Sequence, residues 1–307
     1  MSRPRMGGVL MIRERPMPDF LDTVLYWVFP TDCAACGRPA ADRRLPFFCR
    51  SCWDSIRPFD GPLCPRCGCP FDSPLALAHS PTHTCRACRE KPPRFDRALS
   101  PYRYDGAVER AIRLFKYRRR DALAEPLANL MLVWTDRLPP VDLVMPVPLH
   151  PRKLRAREFN QALLLADRIA RHLGLPLSFE SLVRHRETKP QTELDRAGRV
   201  RNVRRAFAVR EPDGLDGRRV LLVDDVLTTG TSLAEVVKLL RSGSADLVGI
   251  GVLIDRSEAP IDFGVDLHAA CRFEARTYPE DDLPDWLQRI PVSTPGTRAK
   301  TVARPET

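Results

Sequence analysis

The stretch Val220-Leu-Leu-Val-Asp224-Asp225-Val-Leu-Thr228-Thr229-Gly230-Thr231-Ser232 decides how this chain reads. Four aliphatic residues in a row predict a strand buried on both faces. Asp224 and Asp225 follow at the strand's carboxyl end, and a hydroxyl-rich turn with one glycine then opens a helix, Ser232 to Leu240. Adjacent carboxylates suit vicinal ribose hydroxyls, or a Mg²⁺ ion held through water. The hydroxyls and amides of Thr228, Thr229, Gly230, Thr231 and Ser232 suit a phosphate at a helix N-terminus. Together they imply a ligand carrying both a ribose and a 5′-phosphate. A plain turn capped by Ser232 would explain the serine, but not two carboxylates beside four hydroxyls.

Outward from this run the pattern is α/β. Strands are predicted at Ala98 to Tyr104, Val141 to Val147, Leu182 to His185, Ala206 to Val209 and Leu247 to Ile254. Helices are predicted at Ala107 to Tyr117, Leu123 to Leu138 and Gln161 to Leu173. Such alternation indicates a parallel sheet with helices on its faces. The 307 residues suggest two domains or one large one. The expected division is a polar, disordered segment 1–18, a cysteine-rich module 19–92 with a leading helix Phe20 to Val28, an α/β domain 93–290, and a disordered tail 291–307. No apolar run is long enough to span a membrane, and nothing resembles an export signal, so a cytoplasmic location is expected.

Nine of the ten cysteines lie between Cys33 and Cys88. In a reducing compartment such thiols are more often metal ligands than disulfides. Cys33-Ala-Ala-Cys36 is followed by Cys49-Arg-Ser-Cys52, and Cys64-Pro-Arg-Cys67 by Cys85-Arg-Ala-Cys88. Each pair places two thiolates on one metal, and two pairs complete the four-sulfur shell of structural zinc. Two closed, non-catalytic zinc sites are therefore expected. Cys69 is left over, and with His79 and His83 nearby a ligand exchange in the second site stays open. Gly37 and Gly68, directly after second cysteines, suit turns that need positive φ.

The net charge is +10, nearly all from arginine. Either an anionic partner or a codon bias toward arginine accounts for it. Its distribution says more: Arg103 to Arg120 holds seven basic against two acidic residues, and Asp255 to Arg289 nine acidic against four basic. Phe47, Phe48, Trp53 and Phe59 in the cysteine module could stack on single-stranded DNA or simply pack around the metal knuckles. Cys271 reads as a core residue.

The thirteen-residue run resembles the phosphoribosyl-pyrophosphate (PRPP) signature of type I phosphoribosyltransferases. With Pro146-Val-Pro148-Leu-His150, Phe159-Asn160-Gln161, Gln191, Asn202-Val203 and the cysteine pairs, residues 19 to 255 are similar to the ComF family of competence-associated proteins. The resemblance implies a Rossmann-type sheet with a small hood, preceded by a double zinc-ribbon module. It implies that Asp224 and Asp225 contact the PRPP ribose and Mg²⁺, and that Thr228 to Ser232 hold the 5′-phosphate. His150, Arg152, Lys153, Arg155 and Arg157 would meet pyrophosphate, and a mobile loop with Thr188, Lys189 and Gln191 would close over the site. Two positions depart from the family: Glu158 and Glu193 stand where glycine is usual. A PRPP-binding protein that works with single-stranded DNA and DNA-uptake proteins is expected. A salvage or biosynthetic phosphoribosyltransferase and a non-catalytic PRPP sensor are the alternatives.

Overall fold

The computed structural model describes residues 31–40, 42, 45–78, 80–90, 92, 97–118, 120–188, 202–210, 214–257 and 261–273. The leading helix at Phe20 to Val28, both terminal segments, and His79, Arg119, Lys189, Gln191 and Glu193 lie outside the described residues. Two compact units divide between Ser55 and Ile56.

In the amino-terminal unit, Asp32 bridges to Pro39 around a tight knuckle in which Gly37 has φ 72°. Helix α1 (Arg50–Asp54) begins directly after Cys49, so that Cys52 falls in its first turn. Phe48 and Trp53 are buried and meet with ring centroids 5.4 Å apart. They pack on each other and are not open stacking faces, which settles for packing the alternative left by the sequence at those two positions.

The carboxy-terminal unit starts with a second copy of this device. Leu63 bridges to Pro70, Gly68 has φ 68°, and α2 (Arg86–Glu90) follows Cys85. The Cys33 amide donates to the Arg38 carbonyl at 2.7 Å, and the Cys64 amide to the Cys69 carbonyl at 2.8 Å. Cys69 is thus the repeat equivalent of Arg38, which explains a ninth cysteine without a ninth ligand. A Cβ on Gly68 would stand 2.8 Å from the Ala98 carbonyl oxygen, so only glycine lets this knuckle approach the first strand.

A parallel sheet follows. Its strands are β1 (Ala98–Leu99), β2 (Tyr102–Arg103), β3 (Leu143–Pro146), β6 (Arg219–Leu227), β7 (Asp246–Asp255) and β8 (Asp266–Arg272), ordered β1-β8-β7-β6-β3 with β2 also on β8. The expected single strand Ala98 to Tyr104 is broken at Ser100-Pro101, where proline has no amide for the ladder. β4 (Leu182–Arg184) and β5 (Phe207–Val209) form a separate antiparallel pair. β8 was not expected from the sequence. Its run Leu267 to Cys271 is buried throughout, yet His268 interrupts the apolar pattern.

Helices cover both faces. α3 (Gly106–Tyr117) buries Ala107, Val108, Ala111, Ile112 and Phe115, the spacing of one helical stripe. α4 (Ala124–Met131) continues as 3₁₀ helix over Leu132–Arg137, where the sequence suggested one helix to Leu138. α5 (Pro151–Arg157) and α6 (Gln161–Leu173) follow β3, and α7 (Thr231–Ser242) follows β6. One sheet face, with Met145, Val220, Leu222, Ile250 and Val252, shares a core with Leu233, Val236 and Leu240 of α7 and with Cys64, Cys67 and Cys88. The second cysteine cluster therefore belongs to the sheet's own core. Among the described residues no helix is long and apolar enough to cross a membrane.

Candidate functional site

β3 and β6 are neighbours in register, with Pro146 opposite Val223, so the segments leaving their carboxyl ends face one another. Parallel sheets collect ligands at this edge because chain ends and helix N-termini converge there. A cleft of about 240 Å³ opens between them, lined by Asp224, Asp225, the turn Thr228 to Ser232, Val147 to Leu149, Asn160 and Gln161. Lys116, Lys153, Arg157 and Arg184 complete its wall.

β6 runs four residues beyond the expected Val223 and carries both carboxylates within the strand. The Asp225 amide donates to Asp224 Oδ1 at 2.8 Å. The Asp224 carboxyl is held well above the usual carboxylate range, chiefly by desolvation at the cleft floor and then by the charge of Asp225. Past the strand, Gly230 has φ 68° and occupies the cap position of α7, with no side-chain cap hydrogen bond. A Cβ there would stand 2.9 Å from Ile261 Cδ1. Ser232 is inside the helix, so the capped-turn alternative does not describe this loop. Thr229 and Thr231 hydroxyls lie 3.1 Å apart beside the α7 N-terminus. That arrangement offers a concave set of donors to an anion.

The opposite wall is built by capping. His150 caps α5 by accepting from the Arg152 amide on Nδ1 at 3.2 Å, and Pro151 takes the first helical position. Asn160 caps α6 by accepting from the Ala162 amide, and its side-chain amide donates to the Val147 carbonyl at 3.1 Å. One asparagine thus fastens the helix start to the end of β3. Of the four basic residues on α5, Lys153 and Arg157 line the cleft. Arg152 instead pairs with Glu187 at 3.0 Å, and Arg155 is exposed. The Lys153 ammonium is pushed below its ordinary range, first by burial and then by the Arg184 charge. Glu158 ends α5 with φ 72°, a left-handed conformation that favours glycine. Thr188 is buried and accepts from Arg184 Nη2 at 2.5 Å.

The cysteines form two tetrads, Cys33/Cys36/Cys49/Cys52 and Cys64/Cys67/Cys85/Cys88, each with all Sγ atoms within 4.8 Å of one another. A tetrahedral shell with Zn–S near 2.3 Å has an S···S edge of about 3.8 Å. The Cys36–Cys49 distance is 3.7 Å and the Cys67–Cys85 distance 3.5 Å, so both donor sets fit zinc. Arg38 donates to Cys36 Sγ at 3.5 Å and to the Ser51 hydroxyl at 3.3 Å, and the Cys85 amide donates to Cys64 Sγ at 3.3 Å. His83 packs its ring on Phe71 at 5.6 Å and is not in a tetrad.

A family model for a phosphoribosyl transferase domain matches residues 160–262, and one for a double zinc ribbon domain matches 24–89. The "DNA utilization protein YhgH" of Escherichia coli strain K12 is 34% identical over 223 residues, 70% of this chain and 93% of that protein. "Competence protein F" of Haemophilus influenzae is 30% identical over 200 residues, covering 63% and 83% of the two chains. The chain belongs to the ComF family. An "Orotate phosphoribosyltransferase" of Caldanaerobacter subterraneus is 33% identical over 136 residues, 44% of this chain and 62% of that protein.

The parallel sheet with its small antiparallel pair is the type I phosphoribosyltransferase fold, and the two tetrads are the metal centres of the double zinc ribbon. Two cleft residues of this ComF chain were not singled out from sequence. Arg184 reaches the cleft from β4, nearly buried, with its guanidinium 5.2 Å from the Phe207 ring centroid. Lys116 reaches it from the last turn of α3, with Nζ 3.8 Å from Asp225 Oδ2. A signal for Lys116 did exist. The chain has only six lysines among 49 basic residues, so a lysine amid arginines marks a position where a compact charge suffices or is preferred.

Proposed function

We propose that the cleft binds PRPP with Mg²⁺, and that this ComF chain is a phosphoribosyltransferase-like protein working with single-stranded DNA. The observation that carries the first part is the set of groups that meet in one cleft. Two carboxylates of β6, the hydroxyl-rich N-terminus of α7, and Lys153 and Arg157 of α5 all line it. A ribose bearing a 5′-phosphate and a 1-diphosphate has one group for each of the three. On this reading Asp224 and Asp225 bind the ribose hydroxyls and the hydrated Mg²⁺, which would neutralise diphosphate charge. Thr228 to Ser232 bind the 5′-phosphate, and Lys153 and Arg157 the pyrophosphate.

If a nitrogen nucleophile attacks C1 of the ribose, the C1–O bond to pyrophosphate breaks and the new C–N bond forms through an oxocarbenium-like state. The chain's contribution is positioning, charge compensation and exclusion of water. The DNA part of the proposal rests on the names of two relatives and on exposed arginines such as Arg118 and Arg120. A nucleotide-forming transferase is the second reading, favoured by the likeness to an orotate phosphoribosyltransferase.

Pyrophosphate release from PRPP, measured with no acceptor, with a panel of bases and with single-stranded DNA, tests the proposal. Release stimulated by DNA supports it. Release with one free base alone favours the second reading, and failure to bind PRPP at all removes both.

A further inference from the structure

Lys116 precedes the segment matched by the transferase family model, yet it lines the cleft with its ammonium beside Asp225. We propose that Lys116 is a positioning residue of this site, which holds Asp225 in place and offsets the carboxylate pair, so that the cleft selects an anionic ribose phosphate over a bare divalent cation. The inference rests on the PRPP reading given above.

Three observations converge on Lys116. The Lys116–Asp225 pair is enclosed, with side chains only 16% and 18% exposed, whereas a surface pair such as Arg86–Glu90 is 85% and 62% exposed. Enclosed charges are screened less and act more strongly on their neighbours. The position is also fixed from below. Phe115, the preceding residue, is fully buried and packs on Phe159 at 5.9 Å between ring centroids. Phe159 in turn precedes Asn160, which is tied to the end of β3. The helix end carrying Lys116 is thus anchored to the segment that walls the cleft.

The third observation is chemical. Asp224 and Asp225 are adjacent on β6, and both carboxylates line the cleft. Left alone, such a pair attracts cations and repels phosphates. One ammonium beside Asp225 reverses part of that preference. Lysine suits this task better than arginine, because a planar fork would occupy both oxygens of Asp225, whereas a point charge leaves one to accept a ribose hydroxyl.

The test uses the full chain with its zinc, comparing wild type, Lys116→Met and Lys116→Arg. PRPP affinity is measured at saturating Mg²⁺ by calorimetry, and the affinity for a bare cation by Mn²⁺ titration without PRPP. Lys116→Met should bind PRPP on the order of tenfold more weakly, the usual size for one charge-assisted contact, while binding Mn²⁺ more tightly. Lys116→Arg should return Mn²⁺ affinity to the wild-type level. Opposite shifts for the two ligands are not produced by simple structural damage. Equal PRPP affinity in wild type and Lys116→Met, or a fall in both affinities together, overturns the inference. Wild type that binds no PRPP removes the underlying reading instead. An Asp225→Asn background guards against a folding effect: there, adding Lys116→Met should cost less than about twofold, since the charge it offsets is already gone.

Discussion

Replacing one cysteine in each zinc centre should produce two different outcomes, because the centres sit in different surroundings. Cys88 is 4% exposed and shares its core with the central strands and α7. Cys49 belongs to the separate unit that ends at Ser55. Structural zinc contributes on the order of 10 kcal/mol to folding, so one of four thiolates is worth about 2.5 kcal/mol. For a unit of this size each kcal/mol moves the midpoint by roughly 2–4 °C. Cys88→Ser should therefore lower the main calorimetric transition by about 5–10 °C. Cys49→Ser should leave that transition in place and weaken zinc binding in its own unit alone. Scanning calorimetry, with zinc counted in the same freshly reduced samples, reads both effects. Equal shifts of the main transition in the two variants would refute the assignment of the second ribbon to the sheet's core, and a zinc content below one per chain in wild type would refute the tetrads themselves.

The remaining predictions concern burial and backbone strain. His268 is buried against Trp134, and desolvation holds its pKa at about 4, below the ordinary 6.5. The unfolded chain takes up that proton first, so stability from this group is complete above about pH 6.5 and is lost as pH falls toward 4. Denaturant titrations should show about 2 kcal/mol less stability at pH 5 than at pH 7 from this group, and His268→Leu should lack that component; an identical pH dependence in both proteins would contradict the account. Glu158→Gly relieves a left-handed residue costing about 1 kcal/mol and removes a carboxylate beside α5. It should raise the melting temperature by roughly 2 °C and tighten PRPP binding modestly, by less than about tenfold; weaker binding by calorimetry would show that the glutamate helps the site.

The strand-and-cradle run and the paired cysteines were legible because their signals are local. Continuous aliphatic residues, a turn glycine and Cys-x-x-Cys spacing each specify geometry over a few residues. The basic segment after β3 was legible only in part. Four basic residues lie between Arg152 and Arg157, but the segment is a helix, and Lys153 and Arg157 share one face while Arg152 and Arg155 do not line the cleft. His150 as cap and Pro151 at the first position were the clues to that helix. Lys116 and Arg184 were not found because they reach the cleft from α3 and β4, far from the signature in sequence. β8 escaped because His268 sits at a buried position that a sequence pattern expects to be apolar. The aromatic residues offered for stacking illustrate the converse. Phe48 and Trp53 are spent on the core of a module too small to have another.

The central claim, a PRPP site at the carboxyl edge of β6, is tested most directly by calorimetric titration of the full chain with PRPP and Mg²⁺, in wild type and in Asp225→Asn. The account predicts saturable binding at one site in wild type, and an affinity about ten- to a hundredfold lower in the variant, the loss of one charge-assisted hydrogen bond, with zinc content unchanged. Equal affinity in the two proteins, or no binding heat in zinc-replete wild type, would contradict it.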